Sequence, residues 1–147
     1  MATKKIKLTG TASWAKVFED NRDLTGFQGA AEEYGGQYSI DLELDFENME
    51  KLTNSGSMKQ GKVTENGQTV KFTRRHEDAF EWSSGAPGVT DAEGNEWTLE
   101  ENGVIPNGST VEVFLSVYTT SRKAIVGTRL DAVKVLEAAE MGGEEYI

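Results

Sequence analysis

The chain of 147 residues has no cysteine and one histidine. Disulfide staples, thiolate zinc sites and cysteine nucleophiles are excluded together, and a reducing, cytoplasmic compartment is the expectation. His76 stands beside Glu77 and Asp78 as the only imidazole, so a metal site or general base would have to be assembled from distant carboxylates; a surface histidine is the better reading. No apolar run approaches the roughly 20 residues that cross a bilayer, and the basic start Lys4-Lys5-Ile6-Lys7 has no apolar stretch behind it. Neither a membrane span nor a secretory signal is expected. An overall positive charge is also missing, since 25 acids against 15 bases give a net charge of -10. Coating nucleic acid by bulk attraction is thereby excluded, and any such binding has to come from a local patch.

What is present suits one soluble domain. The 37% apolar residues, 16 glycines and 27% charged residues fall within the globular range, and the length supports one core rather than two. We place a domain at residues 1–141 and a short, glycine-led acidic tail at 142–147. The clearest strand spans 37–46, where Tyr38, Ile40, Leu42, Leu44 and Phe46 alternate with Ser39, Asp41, Glu43 and Asp45. Period two with one polar face is the mark of an antiparallel sheet covered on one side. A second alternation runs from Ser109 to Thr119, with Val111, Val113, Leu115 and Val117 inward and Phe114 and Tyr118 on the outer face. It follows the turn Pro106-Asn107-Gly108.

Weaker strands are expected from Lys4 through Phe18, at Gln68–Arg75, at Glu96–Leu99 and from about Ala124 to Glu137. Residues 46–52 suit one or two helical turns, and 26–36, 53–67 and 83–95 read as long loops. The pattern points to an all-β antiparallel barrel or sandwich, and periodicity alone does not choose between them.

Enzyme motifs fail on context. Residues 56–63 nearly fit a phosphate-cradling loop, but Val63 stands where a hydroxyl should hold magnesium, and Asn66-Gly67 interrupts any following helix. The acidic segment Asp91–Glu96 has its glycine at the fourth rather than the sixth position of a calcium loop, so a solvated hairpin tip explains it. No catalytic residue, metal or cofactor is expected.

The charge is segregated. Residues 51–76 hold Lys51, Lys59, Lys62, Lys71, Arg74 and Arg75 against Glu65, and Arg122, Lys123 and Arg129 lie in a stretch without acids. Aromatics stand nearby: Trp14 and Phe18 with Lys16 between them, then Phe114 and Tyr118 ahead of Arg122. Single-stranded nucleic acid asks for this combination, because bases stack on rings while cations follow phosphates. The candidate contact residues are Trp14, Lys16, Phe18, Lys71, Arg74, Arg75, Phe114, Tyr118, Arg122 and Lys123.

The order of features resembles the single-stranded DNA-binding proteins of short-tailed bacteriophages. The resemblance is carried by Lys4-Lys5-Ile6, Thr9-Gly10-Thr11-Ala12, the strand from Gly36 to Leu42, Val104-Ile105-Pro106-Asn107-Gly108-Ser109, the strand Val111 to Tyr118, Ala124-Ile125-Val126-Gly127, and Leu130, Val133, Val135 and Leu136. It implies a five-stranded antiparallel barrel of oligonucleotide-binding type, with long hairpin loops and at most one short helix. It also implies sequence-tolerant coating of single-stranded DNA during phage replication and recombination, without catalysis. Base-stacking aromatics of that family map onto Tyr118 and onto Arg122, where this chain has no ring. Glu144, Glu145, Tyr146 and Ile147 stand where the family has a longer acidic tail that recruits the phage polymerase and helicase-primase, and a homodimer is a further option. The alternative from another class is a structural β-domain of a virion or assembly adaptor, with a metal-dependent hydrolase a distant third.

Overall fold

The computed structural model describes residues 3–119 and 126–139. They form one sheet of seven strands in the order β3-β4-β2-β1-β6-β7-β5. The strands are β1 (Thr3–Lys16), β2 (Gln37–Leu44), β3 (Lys62–Thr64), β4 (Gly67–Arg75), β5 (Gly88–Asp91), β6 (Thr110–Thr119) and β7 (Val126–Glu137). All neighbours are antiparallel except β5 and β7.

The sheet curls because β1 serves two neighbours. Thr3 to Thr11 pair with β6, and Thr11 to Lys16 pair with β2. The corner falls at Gly10, where a Cβ would press into Glu43 O and lie 2.8 Å from Leu42 Cγ, so only glycine lets the two strands approach. The inner face then gathers Leu8, Ala12, Ile40, Leu42, Leu44, Val70, Phe72, Val113, Leu115 and Leu130, all essentially buried. Alternation in β2 and β6 places its apolar residues as the sequence predicts up to Leu44 and Val117.

Helix α1 (Phe46–Asn54) closes one end of this interior by burying Leu52. Asp45 caps it, its carboxylate accepting the backbone N–H of Asn48. Asn48 in turn accepts the Thr9 amide through Oδ1 at 3.0 Å, tying helix to β1.

Several expectations need correction. Among the described residues there are seven strands rather than five, the sheet ends are not joined by strand pairing, and a second short helix, α2 (Leu99–Asn102), is present. The segments 53–67 and 83–95 contain β3 and β5, which are three and four residues long and too short for alternation to register. The strand expected at Glu96–Leu99 is absent: Trp97 packs on the core and Thr98 caps α2 by accepting the Glu101 amide. Phe46, expected inside, is 81% exposed, because the chain turns helical at that residue and the strand phase ends. His76 is half-buried rather than free on the surface, with Nδ1 2.7 Å from the Tyr38 hydroxyl. The Asp91 tip is a hairpin whose carboxylate accepts the Glu93 and Asn95 amides. No helix among the described residues is long and apolar enough to cross a membrane.

Two outcomes follow. Phe72→Ala should cost about 3–5 kcal/mol in urea unfolding, whereas Phe46→Ala should stay within about 0.5 kcal/mol; equal losses would put Phe46 in the core. At pH 7, Asp45→Ala should cost about 1 kcal/mol through the lost cap. Hydrogen bonds from the backbone and then the side chain of Asn48 hold the Asp45 carboxyl below its ordinary 3.8. The cap's contribution is therefore complete above that value and fades as the pH falls through the lower, folded-state one. The difference between wild type and variant should narrow accordingly in acid, and a constant difference down to pH 2 would argue against an ionised cap.

Candidate nucleic-acid interface

The interface is built where the curl leaves a seam. β4 and β7 approach each other without pairing, and side chains bridge them. At one part of the seam the segment after α1 contributes instead, Ser57 Oγ lying 2.6 Å from Thr128 Oγ1 of β7. Farther along, Arg74 reaches from the inner face of β4 and donates to Leu130 O at 3.4 Å and Asp131 Oδ1 at 3.5 Å. Asp131 is available because the β6–β7 register shifts there: Phe114 pairs with Ala132 but Leu115 with Leu130, leaving Asp131 as the extra residue of a bulge. Its carboxylate also accepts from Lys5 Nζ at 3.4 Å, Arg129 Nε at 3.1 Å and the Ser116 hydroxyl.

Beside this knot lies a cleft of about 650 Å³ whose lining includes Lys5, Arg75, Phe80, Trp82, Tyr118 and Arg129. Phe80 and Trp82 are stacked, with ring centroids 5.2 Å apart and planes 7° off parallel, yet they are 58% and 64% exposed. The Arg129 guanidinium sits 4.9 Å from the Trp82 ring and 5.4 Å from the Tyr118 ring. Arg75, on the rim, lies 4.0 Å over Tyr34 and pairs with Asp78 at 3.1 Å. Burial pushes the Asp78 carboxyl up, but hydrogen bonds from Ser83, the Ala79 amide and Arg75, with the Arg75 charge, outweigh it and leave it below its ordinary value. Tyr118 lies flat over its cross-strand partner Gly127, in the space a Cβ there would fill. The arrangement offers flat apolar surfaces interleaved with cations, the cations outnumbering the two carboxylates that hold them.

Of the residues expected from sequence, Arg75 and Tyr118 meet at this cleft. Phe114 lies half-buried on the same outer face, paired with Lys7 and Ala132. Lys71 is exposed on β4 and bound to Asp41 at 3.4 Å. Trp14 and Lys16 stand at the other end of β1, roughly 35 Å along the strand from Thr3 at the cleft. Trp14 is 67% exposed, adopts a left-handed φ of 51° and donates its backbone N–H to Asn107 Oδ1.

Two expectations are corrected. Arg74 is 8% exposed and faces inward, its donors spent on carbonyls and Asp131, so it is not offered to a phosphate. Phe18 packs against the core beside a separate groove bordered by Glu19, Asp20, Glu96 and Glu100, a setting that repels a polyanion. Arg122, Lys123 and the tail residues lie outside the described residues.

Sequence reasoning missed Phe80, Trp82, Tyr34, Lys5 and Arg129 as members of one site. The available signal was the pair Phe80 and Trp82, two large rings in a polar loop directly after Arg74-Arg75, where no strand alternation needs them for a core.

Solved structures share this fold. The chain is similar to gp2.5, a single-stranded DNA-binding protein encoded by bacteriophage T7, at 18% identity and a TM-score of 0.59, covering 100% of this chain and 99% of that one. It is similar to a C-terminal truncation of the single-stranded DNA-binding protein from bacteriophage Enc34, at 14% identity and a TM-score of 0.64, covering 93% and 87%. The Enc34 protein in complex with single-stranded DNA matches at 15% identity and a TM-score of 0.60, covering 95% and 89%. At these identities the likeness is one of fold, which agrees with the resemblance drawn from the ordered sequence features. No protein-family model matches the chain, and no curated protein does.

The electrostatic contrast between the two grooves is measurable. Iodide should quench Trp82 fluorescence more strongly than caesium, because Arg129 concentrates anions beside that ring. Trp97, beside Glu96 and Glu100, should show the opposite preference. Equal quenching of Trp82 by both ions would mean that the neighbouring acids cancel the cleft's charge.

Proposed function

We propose that the protein binds single-stranded DNA without sequence preference, and that it coats unpaired strands during phage DNA replication and recombination rather than catalysing a reaction. The observation that carries this reading is the exposed Phe80–Trp82 stack facing Tyr118 across a cleft whose cations are Lys5, Arg75 and Arg129. Exposed parallel rings are costly to leave in water and match the face of a base. The fold shared with a protein solved in complex with single-stranded DNA supports the same reading.

The curled sheet is read as an oligonucleotide-binding barrel enlarged at its edges, β3 and β5 being additions to a core of β1, β2, β4, β6 and β7 whose β4 and β7 meet through side chains rather than strand pairing. Bases stack on Trp82, Phe80 and Tyr118, and phosphates follow Arg75, Lys5 and Arg129. Lys71 and Phe114 extend the same face. Arg122 and Lys123, in the connection between β6 and β7 that leaves from the cleft, add phosphate contacts. Trp14 and Lys16 serve a strand long enough to follow β1 to its far end. The tail Glu144, Glu145, Tyr146 and Ile147 offers an acidic-aromatic hook for replication proteins such as a polymerase or helicase-primase, and self-association as a dimer is compatible with the same face remaining free.

Oligothymidine should bind more tightly than duplex DNA of equal length in the same buffer, since duplexes hide the base faces. Trp82→Ala should weaken binding by about 1–3 kcal/mol while leaving the melting transition in place. Arg75→Ala and Arg129→Ala should each reduce the salt slope of log affinity by about 0.7. Tighter duplex binding, or affinity for a protein partner insensitive to salt, would favour the structural or adaptor role instead.

A further inference from the structure

Phe80 and Trp82 are not held in place by burial, so something else must fix the segment that carries them. Between Asp78 and Gly85 the chain has a single 3-10 turn, Glu81–Ser83. Its ends are drawn together by Gly85 N–H donating to His76 O at 2.8 Å and by Asp78 N–H donating to Ser84 Oγ at 2.7 Å. Phe80 O accepts from the Ser83 and Ser84 hydroxyls, and three further carbonyls converge on one side chain. Arg74 Nε donates to Gly85 O at 2.8 Å, and Nη2 donates to Trp82 O at 2.9 Å and Ser84 O at 3.0 Å. Nη1 turns the other way, to Leu130 O and Asp131 on β7.

We propose that Arg74 is the positioning residue of the interface: its guanidinium fork pins the backbone of the 78–85 loop to β4 and β7 and so sets Trp82 and Phe80 at the distance from Tyr118 and Arg129 that a strand of bases requires. This rests on the single-stranded DNA reading of the cleft. The fork matters as well as the charge, because five N–H groups in a plane can satisfy carbonyls on both sides of the seam at once, whereas an ammonium directs three donors from one point. Arg74 binds one carbonyl of Trp82 itself, so a shift of the guanidinium moves the ring directly.

The test uses the full chain labelled with 5-fluorotryptophan, the Trp82 signal being assigned by its loss in Trp82→Phe. Arg74→Lys should fold, with cooperative melting and an unmoved Trp97 signal, while the Trp82 signal shifts toward that of a solvent-exposed indole. Its affinity for oligothymidine should fall about tenfold, the cost of one lost stack, with the salt slope unchanged because Arg74 touches no phosphate. Arg74→Met, which suits the buried space and leaves Asp131 paired with Lys5 and Arg129, gives the same readouts if the lysine variant does not fold. An unshifted Trp82 signal in a folded variant overturns the proposal. So does a salt slope reduced by about 0.7, the mark of a direct phosphate contact. If neither variant folds, Arg74 is a strut of the core and the proposal fails. Wild-type protein that ignores oligothymidine would defeat the functional reading, and the fluorine shift would still decide whether Arg74 sets the loop.

Discussion

A guanidinium taken out of water must be surrounded by acceptors, and Arg74 meets that demand at the one place where the sheet does not close on itself. Continuous strand pairing would have satisfied the backbone of β4 and β7 directly. Here the two strands diverge, and the carbonyls of Trp82, Ser84, Gly85 and Leu130, with Asp131, take up the arginine instead. Burial pushes the Arg74 guanidinium down from its ordinary value and the Asp131 charge pushes it back, but an arginine stays protonated across the accessible range. The ion is therefore permanent, and so is the requirement for partners. A buried cation of this kind adds little net stability; what it contributes is geometry, because few arrangements of the loop satisfy every donor.

The same knot explains why the bulge in β7 exists. Leu130 is inside, and so are Val133 and Val135. A strict period of two cannot bury 130 and 133 together, so one residue has to be absorbed between them, and the register shift after Phe114 absorbs it. Asp131 is thereby released from the ladder's alternation and can accept from Lys5, Arg74 and Arg129. Three cations gathered on one carboxylate leave the surface beside it positive. An acidic protein thus carries a cationic cleft without bulk positive charge, and with screening over about 8 Å at physiological salt the acids of distant loops do little to cancel it.

How far the sequence could be read follows from these interactions. Period two found β2, β6 and most of β1, β4 and β7, because each buries one face along its length. It was blind to β3 and β5, which are short edge pieces, and it ran two residues past Leu44, through the helix cap Asp45 to Phe46. The change of phase between Leu130 and Val133 went unread, since the segment reads as one unbroken strand, and the bulge that absorbs Asp131 is seen only in the pairing. Alternation also assigned faces without assigning position: it put Tyr118 outside, and could not say that Arg75, far away in sequence, would share its cleft. Arg74 was misplaced because adjacent arginines look alike in a sequence, whereas strand pairing sends one outward over Tyr34 and the other inward beside Tyr38. The rings of the loop were missed because they obey no period at all.

Placing the stacking rings on a loop and their anchor inside the sheet divides the energetic work. Ordering a loop costs conformational entropy whenever it happens. In this chain the loop is ordered on folding, by carbonyls bound to a side chain that the core already holds, so a ligand meets Phe80 and Trp82 already parallel. Under the proposed function the ligand would supply an unpaired base and a phosphate path, and a duplex supplies only the second. In that function, selectivity for single strands comes from the fixed ring geometry rather than from contact with a particular base, so that one cleft would serve every sequence.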